Sequence, residues 1–249
     1  MKTQSVETSL QGGILSVTIN RPEKKNAMTA DMHGGFADAF EAVNRNDAIR
    51  CLLIEANGDT FCAGNDMAFF IDDYCMDSGA PVGRFLRGLL NVQKPLIAAI
   101  QGAAVGIGLT LLLHCDLVYA SEDIKLSAPF CRLGLVPEAC SSQLLPALIG
   151  HRLAMEIFLL GKTLDAGDAL SYGLVNAVVR KDLLHVSALQ AAEKITKLPS
   201  DAVNETRRLA RNRAEDLPAR LKDECQSFMK RVRSREAQNL FRSFLRKDS

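Results

Sequence analysis

Tryptophan is absent from this chain of 249 residues, and other aromatics are few, 11 Phe and 3 Tyr. Nothing resembles the basic-aromatic stripe on which nucleic acid stacks, so a nucleic-acid partner is not expected. No apolar run reaches about 18 residues, which predicts no membrane-spanning helix and no membrane partner. Seven cysteines are an odd count without a C-x-x-C pair, and several lie in apolar runs, as Cys51 does before Leu52-Leu53-Ile54. They read as small buried hydrophobes in a reducing compartment, not as a disulfide framework. The four histidines (33, 114, 151, 185) are scattered without metal-ligand spacing, and no metal site is expected. Residues 1–11 carry neither an apolar signal core nor an Arg-rich amphipathic stretch, and the ending Arg246-Lys247-Asp248-Ser249 is not Ser-Lys-Leu. A cytoplasmic protein is the expectation.

What is present is an ordinary globular balance, 47% apolar and 24% charged residues. The length suffices for one large domain, or one domain and an appendage. Net charge is +1 but uneven, with 13 Lys/Arg against 7 Asp/Glu from Glu205 to the end. Solvated helix faces account for such a stretch, and so does attraction of a phosphorylated ligand.

Ile14 to Ile19 is β-branched and partly alternating, which predicts a strand. Met32, Phe36, Phe40 and Val43 recur at helical spacing, and so do Val82, Phe85, Leu86 and Leu89. Cys51–Glu55, Leu96–Ile100, Leu117–Tyr119 and Val175–Val179 read as further strands, and Leu109–His114 as the start of a helix. Phe69 to Pro81 is acidic and reads as irregular and mobile. Ala154–Leu160 is an apolar helix, and Asp165 caps a short one that stops at Gly173. Leu183–Leu198 and everything beyond is helical, with one stripe through Leu217, Leu221, Cys225, Phe228 and Val232 and another through Leu240, Phe241 and Phe244. The prediction is an α/β body over residues 1–195 and a helical region over 196–249. Such a tail packs on the main body or on a neighbour.

Two segments expose the main chain after strand-like runs: Phe61-Cys62-Ala63-Gly64-Asn65-Asp66, and Gln101-Gly102-Ala103-Ala104-Val105-Gly106-Ile107-Gly108. Bare N–H groups converging on one point are what a thioester oxygen needs when it becomes negative. A phosphate or dinucleotide loop fits poorly, because Gly108-Leu109-Thr110 lacks the Walker lysine and Gly102, Gly106 and Gly108 miss the G-x-G-x-x-G spacing. A third segment, Leu135-Val136-Pro137-Glu138, offers one carboxylate in apolar company. Cys62 has no base near it in sequence and reads as a buried thiol, not a nucleophile.

Asn20-Arg21-Pro22 with Asn26-Ala27-Met28, Phe61 to Met67, Gly106-Ile107-Gly108 and Cys115 to Ala120 together resemble the crotonase (enoyl-CoA hydratase/isomerase) superfamily. The resemblance runs from about residue 10 to the C-terminus. It implies a spiral of ββα units, a helical C-terminal trimerisation region, a homotrimer or hexamer, and an acyl-CoA thioester as substrate. Coenzyme A is then part of the substrate, and no separate cofactor is implied. The family's oxyanion donors map to the amides of Asn65 and Ile107. Glu23, Lys25, Ala27, Ala63, Asp66 and Met67 occupy positions where the family grips coenzyme A, largely through main chain. The two glutamates with which hydratases of the family handle water fall on Thr110 and Phe130, which disfavours hydration.

The run Pro129-Phe130, Leu133-Gly134-Leu135, Pro137-Glu138, Cys140-Ser141-Ser142 resembles the peroxisomal-type 3-to-2 enoyl-CoA isomerases, where the matching Glu is the single base. The implied activity is a double-bond shift from 3-enoyl-CoA to trans-2-enoyl-CoA in fatty-acid oxidation, with Glu138 as proton shuttle. Another crotonase reaction through the same enolate, or a silent acyl-CoA-binding module, are the alternatives.

Overall fold

The computed structural model describes residues 5–72, 74–211 and 217–247. Residues 1–4 and the last two residues of the C-terminal sequence read above therefore lie outside the described residues. Strand β1 (Val6–Gln11) folds back antiparallel onto β2 (Ile14–Ile19) through Gly12 and Gly13. Both glycines have positive φ, 58° and 82°, as a tight two-residue hairpin turn requires. From β2 the sheet continues in parallel through β3 (Cys51–Ala56), β4 (Leu96–Ile100), β6 (Leu117–Ser121) and β8 (Ala177–Val179). Strands β5 (Ala103–Val105) and β7 (Lys125–Ser127) form a second, parallel pair.

Isolated bridges extend that pair on both sides: Met28 to Asn65, Cys62 to Ala104, and Leu126 to Leu164. The second layer thus runs from Met28 through the 62–65 segment, β5 and β7 to Leu164, in the same order as the main sheet. Strands β2, β3, β4 and β6 are each followed by a short extended piece in this layer, which is the predicted spiral of ββα units.

Parallel strands must be covered on both faces, and their residues divide accordingly. Leu52, Ile54, Leu96, Ala98 and Ile100 face the main core. Cys51, Leu53, Ile97 and Ala99 pack instead with Leu184, Ala188 and Ala192 of helix α8 (Leu184–Thr196). Against the main core lie α1 (Ala30–Arg45) and α3 (Pro81–Asn91), whose stripes bury Met32, Phe36, Phe40 and Val43 against Val82, Phe85, Leu86 and Leu89. Thr29 caps α1, its hydroxyl accepting from the Met32 amide.

Between these elements come α2 (Met67–Asp72), the one-turn α4 (Ile107–Thr110), α5 (Ser141–Ile149), α6 (His151–Leu160) and α7 (Ala166–Ser171). Asp165 caps α7 in a reciprocal capping box with Asp168, as the sequence predicts. Helices α9 (Ser200–Ala210), α10 (Leu217–Val232) and α11 (Arg235–Lys247) complete the chain. They pack back on the body: Phe241 stacks on Phe70 at 5.1 Å, and the Arg207 and Arg211 guanidinium groups both bind Asp116. Arg208 pairs with Glu205 and Arg231 with Glu236, so part of the basic C-terminal stretch is held by its own chain.

Phe69 to Pro81 is not the loose segment the sequence suggests. Its first residues belong to α2, and Phe70, Tyr74 and Met76 are buried. The acidic composition of the stretch conceals an aromatic core contact, in which Tyr74 meets Phe69, Phe70 and Phe228 with centroids 4.5–5.7 Å apart.

Candidate active site

The two backbone-exposing segments are bonded to each other. Phe61 N–H donates to Gln101 O, Cys62 N–H to Ala103 O and Val105 N–H to Cys62 O, at 2.8–3.0 Å. Gly64 lies close enough to Val105 that a Cβ there would stand 3.3 Å from its carbonyl oxygen. Asn65 and Ile107 therefore sit at the ends of two segments held at a fixed separation by main-chain bonds. Among the described residues, neither the Asn65 nor the Ile107 amide donates to a protein acceptor. Ile107 opens α4, which tightens into a 3₁₀ turn at Leu111, so its amide hydrogen has no helical partner in any case.

Glu138 is 1% exposed, in the loop between the 3₁₀ turn Cys131–Leu133 and α5. Phe130, Leu135, Ala139 and Cys140 around it in sequence belong to the main core, with Leu133 and Val136 packed at its margin. Burial, with the Glu224 carboxylate as a second cause, raises its pKa from 4.5 to about 8. The Tyr74 hydroxyl, donating to Glu138 Oε2 at 3.4 Å, opposes the shift. Oε1 is buried without a partner among the described residues, and so are Asn65 Oδ1 and Thr110 Oγ1. Buried polar atoms in native proteins are normally satisfied, so the unpaired Glu138 oxygen marks a place for a polar ligand.

Tyr74 joins the two halves of the site. Asn65 Nδ2 donates to its oxygen at 3.5 Å, and the same hydroxyl donates to Glu138. Sequence reasoning missed this tyrosine because it lies in a stretch read as irregular; the pair Phe69-Phe70 four and five residues before it was the available signal. Tyr74→Phe is expected to move the acid limb of any Glu138-dependent pH profile to higher pH by under about one unit, since the hydroxyl favours the carboxylate. A steady-state pH series on the variant measures it, and an unchanged or lowered limb contradicts the assignment.

Cys62 is buried beside the first donor segment, and burial pushes its thiol up to about 12, as an inert core cysteine requires. Thr110 and Phe130 are both buried, and neither can activate water. The residues matched to the coenzyme grip gather along the contact between the 21–28 and 61–67 segments. Ala63 N–H donates to Lys25 O at 3.0 Å and Asp66 N–H to Met28 O at 2.9 Å. Arg21 Nη1 donates to Ala27 O at 2.9 Å and to Asp66 Oδ2 at 2.7 Å. Asp66 thus spends its carboxylate inside the protein, and Met67 begins α2 beside it, whereas Glu23 is exposed.

The family profile described as Enoyl-CoA hydratase/isomerase matches residues 9–249. The chain belongs to that family. Its fold is correspondingly that of solved enoyl-CoA hydratase/isomerase-type proteins. One, an enoyl-CoA hydratase/isomerase from Pseudoalteromonas atlantica T6c, is 42% identical with a TM-score of 0.93, covering 98% of this chain and 97% of that one. Another, Pseudomonas aeruginosa OdaA, is 36% identical with a TM-score of 0.94, over 98% and 99% of the two chains. Among curated proteins, enoyl-CoA delta isomerase 2 of Rattus norvegicus is 34% identical over 98% of this chain. The chain spans 64% of that relative's length. The 1,2-epoxyphenylacetyl-CoA isomerase of Escherichia coli is 36% identical over 77% of this chain and 76% of its own. Crotonase-superfamily membership with isomerase likeness is the outcome. Among the described residues no helix is long and apolar enough to cross a membrane.

Proposed function

We propose that this member of the enoyl-CoA hydratase/isomerase family shifts the double bond of a 3-enoyl-CoA to the trans-2 position. The observation that carries the reading is Glu138: a buried carboxylate with one unpaired oxygen, joined through Tyr74 to the residue that offers the first free amide. The thioester oxygen accepts from Asn65 N–H and Ile107 N–H, each worth about 3 kcal/mol as negative charge develops. Glu138 takes the proton from C2, giving an enolate, and returns it at C4 as the C2–C3 double bond forms. No water enters, which suits the hydroxyl of Thr110 and the ring of Phe130 where a hydratase needs acids. A base with a pKa near neutrality suits a proton that must be both taken and given back.

The same reading has coenzyme A held along Glu23, Lys25, Ala27, Ala63, Asp66 and Met67, mainly by main chain, without a separate cofactor. It takes residues 1–195 as the acyl-CoA-binding core and 196–249 as a trimerisation region, in a cytoplasmic homotrimer or hexamer that light scattering would size. Seven free cysteines fit a reducing compartment. The deciding experiment mixes purified protein with a 3-enoyl-CoA and follows the conjugated 2-enoyl thioester by absorbance. Turnover supports the isomerase. Hydration of a 2-enoyl-CoA without isomerisation, or binding of the ester without turnover, would replace it with another family reaction or a silent binding module.

A further inference from the structure

We infer that Glu224, on α10, is a positioning residue for the proton shuttle: it fixes the turn that follows Glu138 and presents a negative charge to it. The inference rests on the reading of Glu138 as the base.

Glu138 runs directly into Ala139 and Cys140, whose φ angles of 56° and 59° lie in the left-handed region that non-glycine residues avoid. Such a turn persists only where its surroundings over-determine it. Here they do. Glu224 Oε2 accepts from Cys140 N–H at 2.6 Å, and its Oε1 from Ser142 N–H at 3.0 Å and from the Ser142 hydroxyl. The carboxylate thereby caps α5 from another helix, where Cys140 at the N-cap position makes no side-chain cap of its own. His114 Nε2 meets the Ala139 carbonyl oxygen at 2.7 Å.

Two turns further along α10, Arg231 Nε donates to Gly134 O at 2.6 Å. One helix thus grips the segment bearing Glu138 at both ends. Phe228, between the two anchors, packs on Tyr74 and Phe130 with centroids 5.7 and 6.4 Å away. Glu224, Phe228 and Arg231, spaced i, i+4, i+7, share one face of α10.

The charge has a second consequence. The groups acting on Glu138 are Tyr74, Glu224 and the thiols of Cys62 and Cys225, and the thiols are neutral, pushed up to about 12 and about 11. Glu224 is therefore the charged neighbour among the described residues. Burial raises its pKa overall, while the Cys140 and Ser142 donors at the start of α5 and Arg220 on its own helix favour the ionised form. Its field holds the proton on Glu138 to higher pH.

The test is Glu224→Gln in the full chain, with kcat, KM and pH profile read on a 3-enoyl-CoA. The amide can accept on one side only and carries no charge. The expected result is kcat lower by about tenfold or more, KM within about threefold, and the acid limb moved to lower pH by about one unit. A helix cap and nothing more would lower the melting temperature with kcat and limb unchanged, which overturns the inference. If Glu224→Gln yields no folded protein, Glu224→Asp decides: the retained charge keeps the limb in place while the shortened reach lowers kcat, and a wild-type kcat overturns the proposal. Glu138→Gln is run in parallel. Turnover surviving there sinks the base assignment and the inference with it, whereas a silent Glu138→Gln beside a wild-type Glu224→Gln sinks the inference alone.

Discussion

Glu138→Gln is expected to lower kcat by about 10³-fold while a bound acyl-CoA ester dissociates within about threefold of its wild-type constant. The amide matches the carboxylate in shape but cannot accept a proton. In the wild type, kcat/KM is expected to rise with pH through about 8, where burial and Glu224 place the Glu138 carboxyl, and then to level off. The same shift makes a stability prediction of definite sign. A carboxyl whose folded pKa lies above its unfolded value of 4.5 favours folding fully below that value and loses the contribution as pH rises through about 8. Wild type should therefore weaken relative to Glu138→Gln between these limits, by a few kcal/mol on the alkaline side. The burial of Glu224 itself is common to both chains and cancels, whereas its repulsion of the Glu138 carboxylate is part of the difference. Urea unfolding at pH 5 and pH 9 reads it, and parallel pH dependence in the two proteins would mean that the carboxyl is not desolvated.

The second large effect is expected from Gly108→Ala. A Cβ at Gly108 would stand 2.8 Å from Cys62 O and 2.9 Å from Cys62 Cβ, both rigid parts of the facing segment. Either the two segments separate or α4 shifts, and in both cases the Ile107 amide moves away from the Asn65 amide with which it is proposed to share the thioester oxygen. Losing one oxyanion donor costs on the order of 10²-fold in kcat, so a fall of that size is expected, together with a loss of about 1–3 kcal/mol in stability from overpacking. Stopped-flow turnover and a denaturation curve on the same preparation separate the two. Wild-type kcat in a folded Gly108→Ala protein would show that the Ile107 amide is not a donor.

How much could be read beforehand differed from element to element for identifiable reasons. The buried parallel strands were legible because Leu52-Leu53-Ile54 and Leu96 to Ile100 are apolar on both faces. β1 was missed: it is an edge strand with most of its residues exposed, although Gly12-Gly13 between Gln11 and Ile14 is a hairpin signal that needs no hydrophobicity. β5 and β7 are three residues each and too short for any period to show. Val175–Val179 shrank to Ala177–Val179, and Leu183–Leu198 to Leu184–Thr196 with a 3₁₀ turn in front, the usual uncertainty of element ends. Asn65, Ile107 and Glu138, the proposed donors and base, can be named from local motifs. Tyr74 and Glu224 cannot, since they reach the site from 64 and 86 positions away in sequence from Glu138, and only the folded chain makes them neighbours.

The bonds between the 61–65 segment and β5 set the spacing of the Asn65 and Ile107 amides, the two proposed donors, and every one of them runs from main chain to main chain. Drift in the side chains at 62, 63, 65, 105 or 107 can reshape the surroundings of the two amides while the gap between them stays put. Glu138, the proposed base, stands on a separate loop with its own supports. Natural variation can therefore retune which acyl group fits, or which atom exchanges its proton, without rebuilding the anion trap.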